Sequence, residues 1–101
     1  MIVYNITTKV DSSITGEWLV WAREFYLPAI ISTACFKQAN IYRLLEADEM
    51  EGLTYIIQLR AESLAFYDKY SDDHAPAIRQ RALDKWGNKC IAFHSVMEVV
   101  Q

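Results

Sequence analysis

The stretch that most constrains this chain is residues 53–61, Leu-Thr-Tyr-Ile-Ile-Gln-Leu-Arg-Ala. Its apolar residues alternate along the chain, as they do in a β-strand. One face of that strand carries Leu53, Tyr55, Ile57, Leu59 and Ala61. Ile56 adds a large apolar side chain to the opposite face, where a solvated strand would be polar throughout. We therefore predict a central strand, covered on one side by helices and at least partly covered on the other.

The composition indicates one domain with more apolar surface than it can bury alone. The chain has 101 residues, which is close to the commonest domain size, and 52% of them are hydrophobic. A small domain cannot hide every apolar group, because its surface is large relative to its volume. We therefore expect residues 1–101 to form a single domain, and a second copy of the chain to bury part of the excess.

Charge and cysteine content exclude several classes of protein. The net charge of −3 provides no basic field for nucleic acid. The first residues lack the basic and apolar regions of a secretory signal, and no apolar run is long enough to cross a membrane. Cys35 and Cys90 are two thiols without CxxC spacing. These features predict a cytoplasmic protein with reduced cysteines and with neither a nucleic-acid nor a membrane partner.

The pattern along the chain predicts four strands and two helical regions. The strands are predicted at residues 2–10, 39–47, 53–61 and 90–100. Helices are predicted at residues 17–31 and 64–70, with a third that has Pro76 in its first turn and ends at Gly87. This order is the α+β ferredoxin-like βαββαβ arrangement, an antiparallel sheet with helices on one face. Because the other face would be bare, we predict a homodimer through the open sheet face.

The first helix is apolar on more than one side. The stripe expected to face the sheet is Trp18, Ala22, Phe25, Tyr26 and Ala29. Val20, Leu27 and Ile31 project from nearly the opposite side, either as a contact with another chain or as ordinary exposed aliphatic residues. Pro28 is expected to kink or tighten the last turns. In the last helix, the predicted buried stripe is Ala75, Ile78, Ala82 and Trp86, and the predicted solvated residues are Arg79, Arg81, Asp84 and Lys85.

Short motifs spread over almost the whole chain carry a family resemblance. They are Met1-Ile2-Val3-Tyr4-Asn5, Trp18-Leu19-x-Trp21, Leu27-Pro28, Tyr42-Arg43-Leu44-Leu45, Glu51-Gly52-x-Thr54-Tyr55, Ala75-Pro76-Ala77-x-Arg79-Gln80, Asp84-Lys85-x-Gly87 and Ala92-Phe93-x-x-Val96-Met97-Glu98-Val99-Val100. Together they resemble a family of short bacterial proteins known only as a domain of unknown function, itself similar to the dimeric α+β-barrel superfamily. Members often carry a polar residue, frequently His, where this chain has Tyr26, and Gly where it has Ala34.

The resemblance implies a dimeric α+β barrel but assigns no activity. The superfamily includes small oxygenases that act on haem or aromatic polyketides, as well as sensors and binding modules. Their pockets lie between the helices and the sheet. The residues expected to line such a pocket here, and to bind a ligand, are Asn5, Trp21, Tyr26 and His74, with His94 as a further candidate.

A haem-degrading enzyme would need a histidine on the helical side and an asparagine on the first strand. His74 and Asn5 fit these positions loosely, with the aromatic residues Phe66, Tyr67 and Tyr70 nearby. The alternative for His74 is a surface histidine among acidic residues, and similarity of fold alone is weak support for a function. His94, on a strand, fits a sheet or interface residue better than a catalyst.

We therefore predict a homodimeric α+β barrel that binds a small apolar or aromatic ligand or serves as an interaction module. The alternative is a cofactor-independent or haem-degrading monooxygenase, so the sequence leaves open whether the protein is an enzyme. No nucleophile triad, phosphate loop or metal-ligand spacing is present, and we expect neither a cofactor nor a metal. The deciding feature is a cavity between sheet and helices. Large aromatic residues can instead fill that space: Trp18, Phe25, Phe66, Tyr67 and Trp86.

Overall fold

The computed structural model describes residues 1–45 and 48–101. Its strands are β1 (Ile2–Asp11), β2 (Gln38–Arg43), β3 (Gly52–Ala61) and β4 (Cys90–Glu98). They form one sheet in the order β2-β3-β1-β4, and every neighbouring pair is antiparallel. The predicted ferredoxin-like α+β fold and the central position of residues 53–61 are therefore confirmed.

Two strands are shorter than predicted. β2 ends at Arg43 instead of continuing to residue 47. Residues 46 and 47 of that prediction lie outside the described residues. β4 ends at Glu98 rather than at residue 100, because Glu98 is the last residue that pairs with β1. The alternating apolar pattern continues beyond both ends. Single backbone hydrogen bonds persist there, from the N–H of Leu44 to the carbonyl of Thr54 and from the N–H of Val99 to the carbonyl of Met1, but the paired ladder of a strand does not.

The register of the sheet assigns each residue to a face. Ile6 lies opposite Ile57 on one side and opposite His94 on the other, so these three residues share the face that packs against the helices. Asn5 lies between Gln58 and Ser95 on the other face. The helix-facing residues of β1 and β3 belong to the core of the domain, and those of β3 are on the face predicted from its alternation: Ile2, Tyr4, Ile6, Val10, Tyr55, Ile57, Leu59 and Ala61.

The first helical region contains a wide turn. It consists of α1 (Thr15–Trp21), a π-helical segment (Ala22–Tyr26) and α2 (Leu27–Ile31). The N–H of Leu27 donates to the carbonyl of Ala22, five residues earlier. Pro28 follows directly and has no N–H to continue the α-helical ladder. The irregularity is thus a widened turn ahead of Pro28, where we had expected a kinked or tightened one.

The widened turn changes which residues face the sheet. The buried residues are spaced four apart: Trp18, Ala22, Tyr26 and Ile30. The prediction for Phe25 was wrong, since its side chain is 63% exposed, and Ala29 is only half-buried. A constant α-helical period places Phe25 with Trp18 and Ala22, but the wide turn rotates it outward.

The second helical region breaks at a single residue. It consists of α3 (Leu64–Asp73) and α4 (Ala75–Trp86), joined at His74, so α3 extends three residues beyond its predicted end. Pro76 lies in the first turn of α4, and Gly87 ends it with a φ of 57°. Ala75 and Ile78 are buried against the core, as predicted. Among the described residues, no helix is both long and apolar enough to cross a membrane.

Candidate functional site

A cavity of about 210 Å³ lies between the helices and the sheet. Strands β1 and β4 form its floor, and the first helical region and α4 form its walls. The residues that line it are Thr8, Trp18, Trp21, Tyr26, Arg79, Ala82, Leu83, Trp86, Gly87, Cys90, Ala92 and His94. Four large aromatic residues therefore surround this space without filling it: Trp18, Trp21, Tyr26 and Trp86.

Aromatic rings in mutual contact form one wall of the cavity. Trp21 stacks on Tyr26 with ring centroids 4.8 Å apart, and it lies nearly perpendicular to Trp86 with ring centroids 5.7 Å apart. The ammonium of Lys85 lies 5.3 Å from the Trp86 ring centroid. Rings held in this way by their neighbours give a flat, rigid apolar surface. The arrangement suits a flat apolar or aromatic ligand.

The polar end of the cavity is a chain of three side chains from β1, α4 and β4. Nη2 of Arg79 donates to the hydroxyl oxygen of Tyr4 at 3.2 Å. That hydroxyl lies 2.6 Å from Nδ1 of His94. Because Arg79 can only donate, the Tyr4 proton is free to point at His94, and the neutral imidazole then carries its own proton on Nε2. The chain therefore fixes the orientation of both Arg79 and His94 at the cavity.

Burial keeps most ionisable groups of the site uncharged near neutral pH. Burial raises the pKa of Tyr4, although the hydrogen bond from Arg79 opposes this shift. Burial also raises the pKa of Tyr26, and it raises that of Cys90 to about 11. The pKa of His94 is lowered by burial and by the charge of Arg79. Arg79 is consequently the charged group of the cavity wall.

The predicted ligand-binding residues do not all lie together. Trp21 and Tyr26 line the cavity, and so does His94. Asn5 lies on the open face of the sheet, where its buried Oδ1 has no hydrogen-bond partner among the described residues. His74 lines a separate groove between the two helical regions, together with Thr33, Asp73 and Arg81. The pair required by the haem-degrading alternative, Asn5 and His74, is thus divided between the two sides of the sheet.

Two residues of the site were missed by reasoning from the sequence. Tyr4 was placed in the predicted strand at residues 2–10 but given no role, and Arg79 was placed on the solvated side of the last helix. Arg79 follows Ala75 by four residues and precedes Ala82 by three, so it borders the buried stripe of α4. That spacing was the available signal. The hydrogen bond to Tyr4 explains why its guanidinium turns inward.

The described part of the chain offers no group of side chains arranged to bind a metal ion. No group of three or more histidine, cysteine, aspartate or glutamate side chains converges there. Cys35 and Cys90 are both free thiols. The side chains that line the cavity offer aromatic contact, hydrogen bonding and one guanidinium charge.

Comparison with known proteins places the chain in a family and a fold. A family model described as "Domain of unknown function (DUF4286)" matches residues 1–100. The comparison with curated proteins finds no match.

Solved structures share the fold at low sequence identity. HapK from Hahella chejuensis is 11% identical with a TM-score of 0.72, over 99% of this chain and 93% of that one. SnoaB from Streptomyces nogalater, a cofactor-independent oxygenase, is 13% identical with a TM-score of 0.67, and the match covers 99% of this chain and 93% of that one. A dimeric ferredoxin-like protein from an uncultured marine organism is 12% identical with a TM-score of 0.66, and the match covers 99% of this chain and 95% of that one. These likenesses establish the fold and leave the activity to be argued from the site.

Proposed function

Because the chain belongs to the DUF4286 family, whose description assigns no activity, we propose a function from the site itself. The protein is a homodimer that binds a small aromatic molecule in the cavity between its helices and sheet. The cavity carries this proposal, since it combines an aromatic wall with converging polar groups from three elements. Ligand sites have this character, mostly apolar with a few placed polar groups.

Four residues have roles in this binding site. Trp21 and Trp86 present ring surface to the ligand, and Tyr26 supports Trp21 from behind. His94 offers its imidazole from the floor, on β4. Asn5 and His74 have no part in this site because they lie outside the cavity. We do not propose haem degradation, which would need those two residues together.

The open face of the sheet supports the homodimer. Phe93 is 66% exposed there, and further apolar side chains on the same face are also exposed: Tyr42, Ile91 and Met97. A single chain rarely leaves this many large apolar side chains of one sheet face in water, and a second sheet packed face to face would bury them. The two free thiols suit a reducing compartment, and we place the dimer in the cytoplasm on that basis.

Native mass spectrometry of the protein purified without added ligand tests the assembly. We expect a dimer, and any additional mass would identify the ligand class directly. A monomer at all concentrations would refute the homodimer.

Filling the cavity tests the ligand site. Benzoate and benzamide serve as probes, and binding is followed by the fluorescence of the wall tryptophans. Ala82→Leu places extra volume inside the cavity and should abolish binding of both probes. Ala77→Leu is the matched control, because Ala77 is exposed on the same helix and does not line this cavity. Failure of the unaltered protein to bind either probe would refute the ligand site.

A further inference from the structure

We propose that the ligand is an aromatic anion, whose ring contacts Trp21 and whose acidic group is bound by Arg79. This proposal rests on the proposed ligand-binding function and names the chemical class of the ligand. The juxtaposition that carries it is one guanidinium at the rim of an aromatic cavity that contains no acidic side chain.

The charge balance of the cavity favours an anion. Neither aspartate nor glutamate is among the lining residues. Tyr26 and Cys90 have raised pKa values and His94 a lowered one, so all three are neutral near pH 7. Among residues 1–45 and 48–101, no carboxylate forms an ion pair with Arg79. Arg79 therefore brings to the rim of the cavity one positive charge that has no carboxylate partner in the described part of the chain, and a ligand carboxylate would neutralise it.

The hydrogen bonds of Arg79 leave donors for a ligand. A guanidinium has five N–H donors in a fixed fork, and the bond to Tyr4 uses one of them. Since the Tyr4 hydroxyl is itself engaged with His94, it holds the fork in place. A carboxylate matches the spacing of two parallel guanidinium donors, which a neutral amide cannot. Arg79 thus combines charge with geometry as the anchor of an acidic group.

The size of the cavity limits the size of the aromatic part of the ligand. A cavity of about 150 Å³ engineered in another protein holds one benzene molecule. The 210 Å³ available here fits a single ring with one or two small substituents. The predicted ligand class is therefore a single-ring aromatic acid.

Isothermal titration with benzoate and benzamide tests this inference, because the two probes have nearly the same shape and differ in charge. We expect the unaltered protein to bind benzoate at least tenfold more tightly than benzamide. Arg79→Met should remove this preference by weakening the binding of benzoate far more than that of benzamide, since the apolar stem is retained. Arg79→Lys, which keeps the charge without the fork, should restore part of the preference.

Arg81→Met is the matched control, because Arg81 lies on the same helix and lines the separate groove near His74. It should keep the full preference for benzoate. If Arg81→Met lost the preference for benzoate to the same extent, the preference would reflect the electrostatic field of the whole helix. That result would overturn the role of Arg79. Equal affinity of the unaltered protein for the two probes would overturn the anion while leaving the ligand site intact. Binding of neither probe would instead refute the proposed function.

Discussion

The hydroxyl of Tyr4 and Nδ1 of His94 lie 2.6 Å apart, although 90 residues separate them in sequence. The antiparallel register explains the contact: Tyr4 is opposite Val96 and Ile6 is opposite His94, so the two residues are diagonal neighbours on the helix-facing side of the sheet. Their rings are also nearly parallel, with centroids 5.8 Å apart. This pair ties the edge strand β4 to the central strand β1 and forms the polar floor beside the cavity.

Tyr4→Phe tests the energetic value of this contact. The substitution keeps the buried ring but leaves the donor of Arg79 and the acceptor of His94 without their shared partner. We expect a loss of about 0.5–1.5 kcal/mol in the free energy of unfolding, the net value of a typical hydrogen bond, because Arg79 and His94 are exposed and water can replace their lost partner. Urea denaturation measures it. Tyr55→Phe is the control, since Tyr55 is also a buried tyrosine but stacks on Trp18 outside this chain of hydrogen bonds. Equal losses in both variants would contradict the special role of the Tyr4 hydroxyl.

His94 should make stability depend on pH. Burial and the charge of Arg79 lower its pKa in the folded protein below the ordinary value of 6.5. As the pH falls through about 6.5, the unfolded chain therefore takes up a proton before the folded one does, and stability decreases until the lower pKa of the folded state is reached. At higher pH the full contribution of His94 to the free energy of unfolding is present.

Urea denaturation between about pH 7.5 and pH 5.5 measures this dependence. The slope per pH unit is limited to about 1.4 kcal/mol for one proton. His94→Gln removes the titrating group, and its stability should fall less over the same range. If the stability of the unaltered protein and that of His94→Gln changed with pH to the same extent, His94 would bind its proton equally well in the folded and unfolded states.

The strands and their faces were predictable because a period of two is set by local backbone geometry. The alternation of Tyr55, Ile57 and Leu59 identified the core side of β3 without any knowledge of its partners. The helical stripe was less predictable. The wide turn before Pro28 rotates Phe25 into solvent, and propensity alone does not signal where a π-helical turn will form.

The site was only partly predictable because its polar end depends on tertiary contacts. Trp21 and Tyr26 were candidates because the family resemblance implies a pocket between the helices and the sheet. The chain from Arg79 through Tyr4 to His94 requires the exact pairing of β1 with β4 and the position of α4 over both. A periodic pattern of single residues predicts neither the pairing of these strands nor the position of α4.

Ala34 has a φ of 62°, a conformation that favours glycine. The residue lies just after α2, where its N–H donates to the carbonyl of Ile31 at 3.0 Å. An alanine in this region is strained by roughly 1–2 kcal/mol, and glycine loses roughly 0.5–1 kcal/mol more entropy on folding. Ala34→Gly should therefore increase stability by up to about 1 kcal/mol, measured as a higher urea midpoint.

Ala77→Gly provides the comparison for this substitution, because Ala77 is an exposed residue within the regular helix α4. There the same change should reduce stability by about 1 kcal/mol. A loss of stability in both variants would show that the backbone at Ala34 carries no strain that glycine relieves.

Phe93 and Phe25 are almost equally exposed, at 66% and 63%, but on opposite sides of the domain. Phe93 lies on the open sheet face and Phe25 on the outer surface of the first helical region. If the homodimer forms through the sheet, Phe93→Asp buries an unpaired charge in each copy and should dissociate the dimer. Sedimentation velocity measures the change in mass.

Phe25→Asp should remain a dimer, because its charge stays in water. Circular dichroism of both variants checks that the monomers keep their secondary structure, so that dissociation is separated from unfolding. Dissociation by Phe25→Asp alone would move the interface to the helical side and leave the sheet face uncovered. A dimer that withstands both charges would contradict an interface centred on either phenylalanine. Since the cavity lies on the helical side of the sheet, a folded Phe93→Asp monomer should still bind benzoate, which would show that each copy carries a complete site.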